Sequence, residues 1–440
     1  MRTPIFAAGL ALVVLLAAIA VTDAAAPQLL YDSSPEHLWN RIDRHFRIRV
    51  GSDGTTHGAD AVDPLLWRET RYLLDGPSHA AALKLLDEFL TTHGERLVTD
   101  PVRRALMQRD LWAVFDWSVS HFESHAAARH ELARRLAQVI RRLALPRDQL
   151  PQLVYVLGKA GPKMLDTYSA AVKAARFPKS YDPADRARAF LPPDLFDENG
   201  PWVPVHGSTP VAQHADEMSR SWFGVFLSVP GGRAATLTYL RMLWDAPQPF
   251  VRDPVGSFGG EQRTMIAPAL RALPPGTQVA LVRKMLLIGA DGWIHHSNLV
   301  ESIQLRVFRA AEPLPPQLRH RGGANDQEFF EFVLDRAALV TDPASAFRAV
   351  KPSDRAFLTF SSQGVDAFEH STTRRPGVVL EMCGACHNDE GLASVLSARR
   401  LFKPYTLADK GGTVFDGMAP FWKTRRADWG YLQARAPLSQ

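Results

Sequence analysis

Cys383-Gly384-Ala385-Cys386-His387 holds the only two cysteines among 440 residues, with a histidine directly after the second. Two thiols three positions apart beside an imidazole suit three kinds of chemistry. They can form two thioether bonds to a flat ring system whose metal the imidazole then ligates, they can cycle between dithiol and disulfide, or they can contribute ligands to zinc. Random placement of two cysteines at this spacing, ahead of a histidine, arises in roughly one arrangement in six thousand, so coincidence is a poor account. A disulfide closing so small a loop would constrain the unfolded chain very little, which argues against stapling.

The three chemistries make different demands on the rest of the chain. A thioredoxin-like pair would fit "GVVLEMCGACH" as a strand leading to a helix start, but that fold needs further strands afterwards. The chain beyond His387 is short and contains Pro404, Pro420 and Pro437. Zinc would need ligands from elsewhere to complete a tetrahedron. The first chemistry asks for nothing more than the motif. Two thiols one backbone turn apart reach the vinyl groups of neighbouring pyrroles, the next residue turns toward the metal, and Gly384 and Ala385 add little bulk against the macrocycle.

On these five residues the chain resembles the c-type cytochromes. The resemblance implies one covalent haem c, with Cys383 and Cys386 as thioether anchors and His387 as proximal iron ligand. It also implies a downstream methionine as sixth ligand, in a loop leading to a closing helix. "DGMAPFWKTRRADWGYLQ" places Met418 in a Gly-Met-Ala-Pro setting similar to such loops, with "WKTRRADWGYLQ" as the final helix. The stretch from His387 to Met418 is short for the family, and "STTRRPGVVL" reads as loop and strand where the family has a long helix. His370 is the alternative sixth ligand, and an open position is the third possibility. The implied function is one-electron transfer with an unidentified redox partner protein. The alternatives are a haem-dependent oxidoreductase or peroxidase with an open sixth position, a haem sensor, and the thioredoxin-like redox protein.

Other constellations are weaker. In "HFESHAAARH", His121 and His125 share a helical face but His130 does not, and the pattern is not H-E-x-x-H. His295 and His296 point to opposite sides of an extended chain. "VGSFGGEQRT" lacks the Gly-Lys-Ser/Thr ending of a phosphate loop, and no Gly-x-Ser-x-Gly elbow occurs.

The elements that must position the motif follow from composition and periodicity. Charge (+5) without a basic stripe excludes nucleic acid as the expected partner. "MRTPIFAAGLALVVLLAAIAVTDAAAPQ" has Arg2, then an uncharged run from Thr3 to Thr22, then small residues. It reads as a signal peptide over 1–24, with Thr22-Asp23-Ala24 as the cleavage signal, or as an uncleaved N-terminal anchor, which is the only expected membrane contact. Either way the protein is expected to be exported, to the periplasm or another extracytoplasmic space.

The expected fold is mainly α, of the α+β class. Helical spacing (Ala82, Leu85, Leu86, Phe89; Leu132, Leu136, Val139, Ile140, Leu143) predicts a helical domain over 30–176, including an aromatic-rich helix that opens at Asp100-Pro101. Six prolines mark 177–204 as a linker. Alternation at Ile303, Leu305 and Val307 and the turn "GADGW" predict a β-hairpin within a mixed α/β domain over 205–311. "EPLPPQLRHRGGAND" (312–326) is a second boundary. A short helix near "DQEFFEFVLDRAALV" and a small cytochrome c-like haem segment complete 327–440.

Overall fold

The computed structural model describes residues 29–50, 56–57, 72–120, 125–153, 165–206, 220–248, 250–258, 261–309, 327–352, 354–356, 377–378, 380, 391–396, 406–407, 423–424 and 427–435. The first half is helical: α1 (Leu38–Phe46), α2 (Gly76–Thr91), α3 (Pro101–Ser120), α4 (Ala126–Arg142), α5 (Leu150–Leu153) and α6 (Thr167–Ala174), with a short strand pair β1 (Arg49–Val50) and β2 (Thr56–His57) after α1. Each long helix has a local cause. The Asp75 carboxylate accepts from the Gly76 amide at the start of α2, and the apolar face predicted for that helix is its buried face. The Asp100 carboxylate accepts from the Arg103 amide at 2.8 Å, with Pro101 at the first helical position of α3. α4 buries Leu132, Leu136, Val139 and Ile140 and ends in Arg141 and Arg142, cations suited to a helix C-terminus.

The second half is strand-rich: β3 (Val203–His206), β4 (Ser221–Ser228), α7 (Gly232–Asp245), β5 (Phe250–Phe258), β6 (Glu261–Ile266), α8 (Pro268–Arg271), β7 (Gln278–Ile288), β8 (Ile294–Phe308), β9 (Gln327–Leu334), α9 (Arg336–Thr341) and β10 (Phe347–Ala349). Beyond these lie β11 (Arg355–Ala356), β12 (Gly377–Val378), α10 (Leu392–Leu396), β13 (Thr406–Leu407) and α11 (Ala427–Arg435). One antiparallel sheet has the order β10-β9-β8-β7-β4-β3-β13. β7 and β8 form the long hairpin predicted around "GADGW", pairing Ile288 with Ile294 at the tip and Gln278 with Val307 at the base. The fold is mixed α+β.

α3 is the axis of the molecule. Every residue from Arg104 to Val119 is buried, because α1, α4, the β7–β8 hairpin and α11 enclose it. One apolar cluster joins these helices to Ala280, Val282, Met285, Ile303, Leu305 and Phe332 of the sheet. A smaller cluster on Val203, Leu227, Val279 and Phe308 is covered by Leu240 and Leu243 of α7 and Leu392 of α10.

Three sequence readings change. "QEFFEFVL" is a strand, with Phe330, Phe332 and Leu334 buried in the alternating manner of a half-covered sheet and Gln327 buried out of that phase. The helix expected there begins only at Arg336, where the Asp335 carboxylate accepts from the Ala338 amide. "SWFGVFLS" forms β4 in the middle of the sheet, a strand that the hairpin reading did not include. The proline-rich stretch 177–204 lacks regular structure up to Trp202, yet it buries Phe190, Leu191 and Leu195, and the Pro192 carbonyl accepts from the Tyr168 hydroxyl. The second boundary, 312–326, lies outside the described residues.

Candidate functional site

Cys383, Cys386, His387 and Met418 lie outside the described residues, as do His370, His121 and residues 1–28. The structure does fix what flanks the motif on both sides. Ahead of it, β12 pairs with β11, matching Val378 with Arg355 and Gly377 with Ala356, so "STTRRPGVVL" contains strand at Gly377–Val378, while its last residue, Leu380, is helical. Behind it, Gly391 adopts a left-handed backbone (φ +54°) and turns the chain into α10. The Gly391 carbonyl accepts from both the amide (3.1 Å) and the hydroxyl (2.7 Å) of Ser394. Arg306 of β8, buried, then donates from Nη1 to the Ser394 carbonyl at 3.0 Å. Its guanidinium lies over the rings of Phe308 and Phe329, 5.6 and 5.8 Å from their centroids. A buried cation on the sheet therefore holds the helical turn that follows the C-x-x-C-H stretch.

α11 overlaps "WKTRRADWGYLQ", the stretch expected as the final helix, and is seated against α3 and α4. Trp429 packs on Trp112 with centroids 6.0 Å apart, and Tyr431 packs on Phe115 at 6.1 Å. The Tyr431 hydroxyl also lies 3.2 Å from Nδ1 of His130. Gln433 donates to the Gly292 carbonyl at the tip of the β7–β8 hairpin at 3.1 Å. Beneath the start of the helix lies a buried group of four charges. Lys423 Nζ is 2.5 Å from Asp116 Oδ2 and 2.8 Å from Asp428 Oδ2, and Arg220 Nη1 reaches Asp116 Oδ2 at 2.8 Å. Burial pushes the Asp116 carboxyl up to about 6; Lys423 and Arg220 oppose that rise and Asp428 adds to it. The anchors of the segment are thus made of charges drawn from α3, the start of β4 and the chain terminus.

Two further polar groups lie inside the fold and look equally functional at first sight. Asp110 of α3 takes a bidentate contact from Arg336 of α9 and sits 3.8 Å from Arg47, which is itself paired with Asp43. Burial raises the Asp110 carboxyl and the guanidiniums beside it pull it back. Arg109 Nε lies 3.0 Å from Glu301 Oε1, and Ser221 bonds to the same carboxylate. Both groups pair buried opposite charges across elements, so they lock α3 to α1, α9 and the sheet. Gln108 does the same without charge: its amide donates to the Ile288 carbonyl and accepts from the Ile288 amide, both at 2.9 Å.

His125 is the residue before α4 and makes no side-chain cap bond. His295 lies 3.0 Å from both oxygens of Asp291 in the hairpin turn, and His296 follows on the adjacent position of the pleat. Among the described residues no group of three or more His, Cys, Asp or Glu side chains could hold a metal ion, and no helix is long and apolar enough to cross a membrane. Comparison of the chain with protein-family models, curated proteins and solved structures finds no match.

Proposed function

We propose that the protein is an exported c-type haem protein that carries single electrons. The observation that carries this reading is the five-residue run Cys383-Gly384-Ala385-Cys386-His387 in a chain with no other cysteine. The donor set fits the group: two thiols at vinyl spacing for thioether bonds and an adjacent imidazole for the iron. When bound, the haem supplies an iron that alternates between ferrous and ferric states. Cys383 and Cys386 hold the macrocycle covalently, which prevents its loss outside the cell. His387 would ligate the iron. Met418 would supply a second protein ligand, whose thioether would raise the potential relative to a second imidazole. Two features of the fold support a held rather than a loose segment: the Arg306 bond to the Ser394 carbonyl and the seat of α11 on α3.

The reading is tested by a haem stain on a denaturing gel, after export in cells that carry the haem-attachment machinery. Colour that survives denaturation in the wild type and disappears in Cys383→Ser/Cys386→Ser is the expected result. A double variant that stains as strongly as wild type, or a matured wild type without colour, refutes it.

A further inference from the structure

The described residues expose four large apolar side chains: Leu29, Leu97, Met242 and Trp293. Three of the four gather at one end of the molecule. Arg103, in the first turn of α3, donates to the Leu30 carbonyl at 3.1 Å, which puts Leu29 beside the start of α3. Leu97 lies in the short connection between α2 and α3. Arg104 donates to the Glu95 carbonyl of that connection and, at 2.9 Å, to the Arg142 carbonyl at the end of α4. Three residues beyond α4, the Leu145 carbonyl accepts from the Ala290 amide of the β7–β8 turn at 3.0 Å, and that turn presents Trp293. The start of α3, the ends of α2 and α4 and the hairpin tip therefore share one end, with Leu29, Leu97 and Trp293 exposed by 40%, 51% and 67%.

Trp293 does not stand out by accident of a loose loop. The turn closes through the Gly289 amide on the Trp293 carbonyl (3.0 Å), the Trp293 amide on Asp291 Oδ1 (3.0 Å) and Gln433 on the Gly292 carbonyl. An indole exposed on this turn, at the end of the fold that also carries two exposed leucines, suits the boundary between lipid headgroups and acyl chains.

The chain itself says which surface lies there. The uncharged run Thr3–Thr22 has the length of a membrane span, and only residues 23–28 separate it from Leu29. Fully extended, that connection reaches about 25 Å, so an inserted run keeps this end of the fold within that distance of the bilayer. We infer that residues 3–22 stay in the membrane and that the end bearing Leu29, Leu97 and Trp293 rests on the lipid surface. The charges left at least partly exposed at this end nearly cancel: Arg96, Arg103, Arg141, Arg142 and Arg147 stand against Glu95, Asp100, Asp148 and Asp291, and Arg104 is buried. Attachment is therefore carried by apolar insertion and depends little on lipid charge.

The test uses the full exported chain in vesicles of dibrominated phosphatidylcholine, alone or mixed with phosphatidylglycerol. Tryptophan emission is expected to be quenched, to about the same extent in both lipids. Trp293→Phe is expected to abolish most of that quenching, and Trp222→Phe, at a buried position, to leave it intact. Hydrogen exchange across 289–294 and 95–100 is expected to slow on vesicle addition, and Leu97→Ser to weaken the protection of both segments. The inference is overturned if the exported chain has lost residues 1–22 by mass. It is also overturned if Trp293→Phe quenches as wild type does, or if the same segments are protected without lipid as protein concentration rises, which would mean that a second copy covers them. The mass and hydrogen-exchange readouts do not depend on haem, so this inference and the haem reading fail separately.

Discussion

Replacing Lys423 by methionine removes one cation from the buried four-charge group and keeps the volume of the side chain. Asp116 then retains Arg220 at 2.8 Å but loses the ammonium at 2.5 Å, while Asp428 still faces it. In the wild type the Asp116 carboxyl sits at about 6, above its ordinary 3.8, and burial is the main cause. The folded state thus binds more protons than the unfolded state between those values. Stability from this group is fully present below the lower value and is lost as pH rises through the higher one, by about 3 kcal/mol. Removing Lys423 takes away the largest influence opposing the shift, so the cost of an ionised Asp116 grows. At pH 7.5 the variant should lose about 3–5 kcal/mol, the range for a buried pair broken on one side. At pH 5 Asp116 is mostly protonated in both proteins, and the loss should shrink to about 1–2 kcal/mol for the hydrogen bonds that Asp428 no longer makes. Urea unfolding at the two pH values, followed by tryptophan emission, measures the difference. Hydrogen exchange in α11 shows whether it appears as local release of that helix. A loss that is the same at both pH values, or below about 1 kcal/mol at pH 7.5, refutes the reasoning.

Other perturbations follow from the same geometry. Gln108→Met leaves the amide and carbonyl of Ile288 without their side-chain partner inside the core, and should cost about 2–4 kcal/mol in chemical denaturation. Gly224→Ala should cost about 1–3 kcal/mol in the same assay, because an added Cβ would come within 2.9 Å of the Phe226 ring and closer still to that of Trp222. Arg306→Met should speed exchange at residues 391–396 and leave α11 protected, since the contacts of that helix are elsewhere. Met418→Ala should erase the far-red sulfur-to-iron band of the oxidised haem protein, and a high-spin wild-type spectrum would instead favour the open sixth position.

Sequence reading recovered what local periodicity encodes. The faces of α2 and α4, the Asp-Pro start of α3, the hairpin around "GADGW" and the closing helix are all short-range patterns. It failed where tertiary contact overrides the local signal. "QEFFEFVL" has aromatics that a helix or a strand could bury, and only pairing with β8 decides between them. "SWFGVFLS" is a short apolar run with too little alternation to mark a strand in the centre of a sheet. The buried charges were hidden for another reason. Arg109, Asp110 and Asp116 look like the solvated face of a helix, and their partners Glu301, Arg336 and Lys423 lie far along the chain. A clue was available in α3, where aromatics and charges alternate so that no single face is polar. The C-x-x-C-H run stood out in the sequence because the chemistry proposed for it needs only five consecutive residues.

The group around Asp116 also bears on the order in which the chain assembles. Asp116 and Arg220 emerge long before Lys423 and Asp428, and each couple is electrically neutral. The early couple can therefore be enclosed without stranding a net charge before the rest of the polypeptide has been made. The late couple then arrives on one short piece of backbone, already matched, and joins the earlier one as α11 seats on α3 and α4.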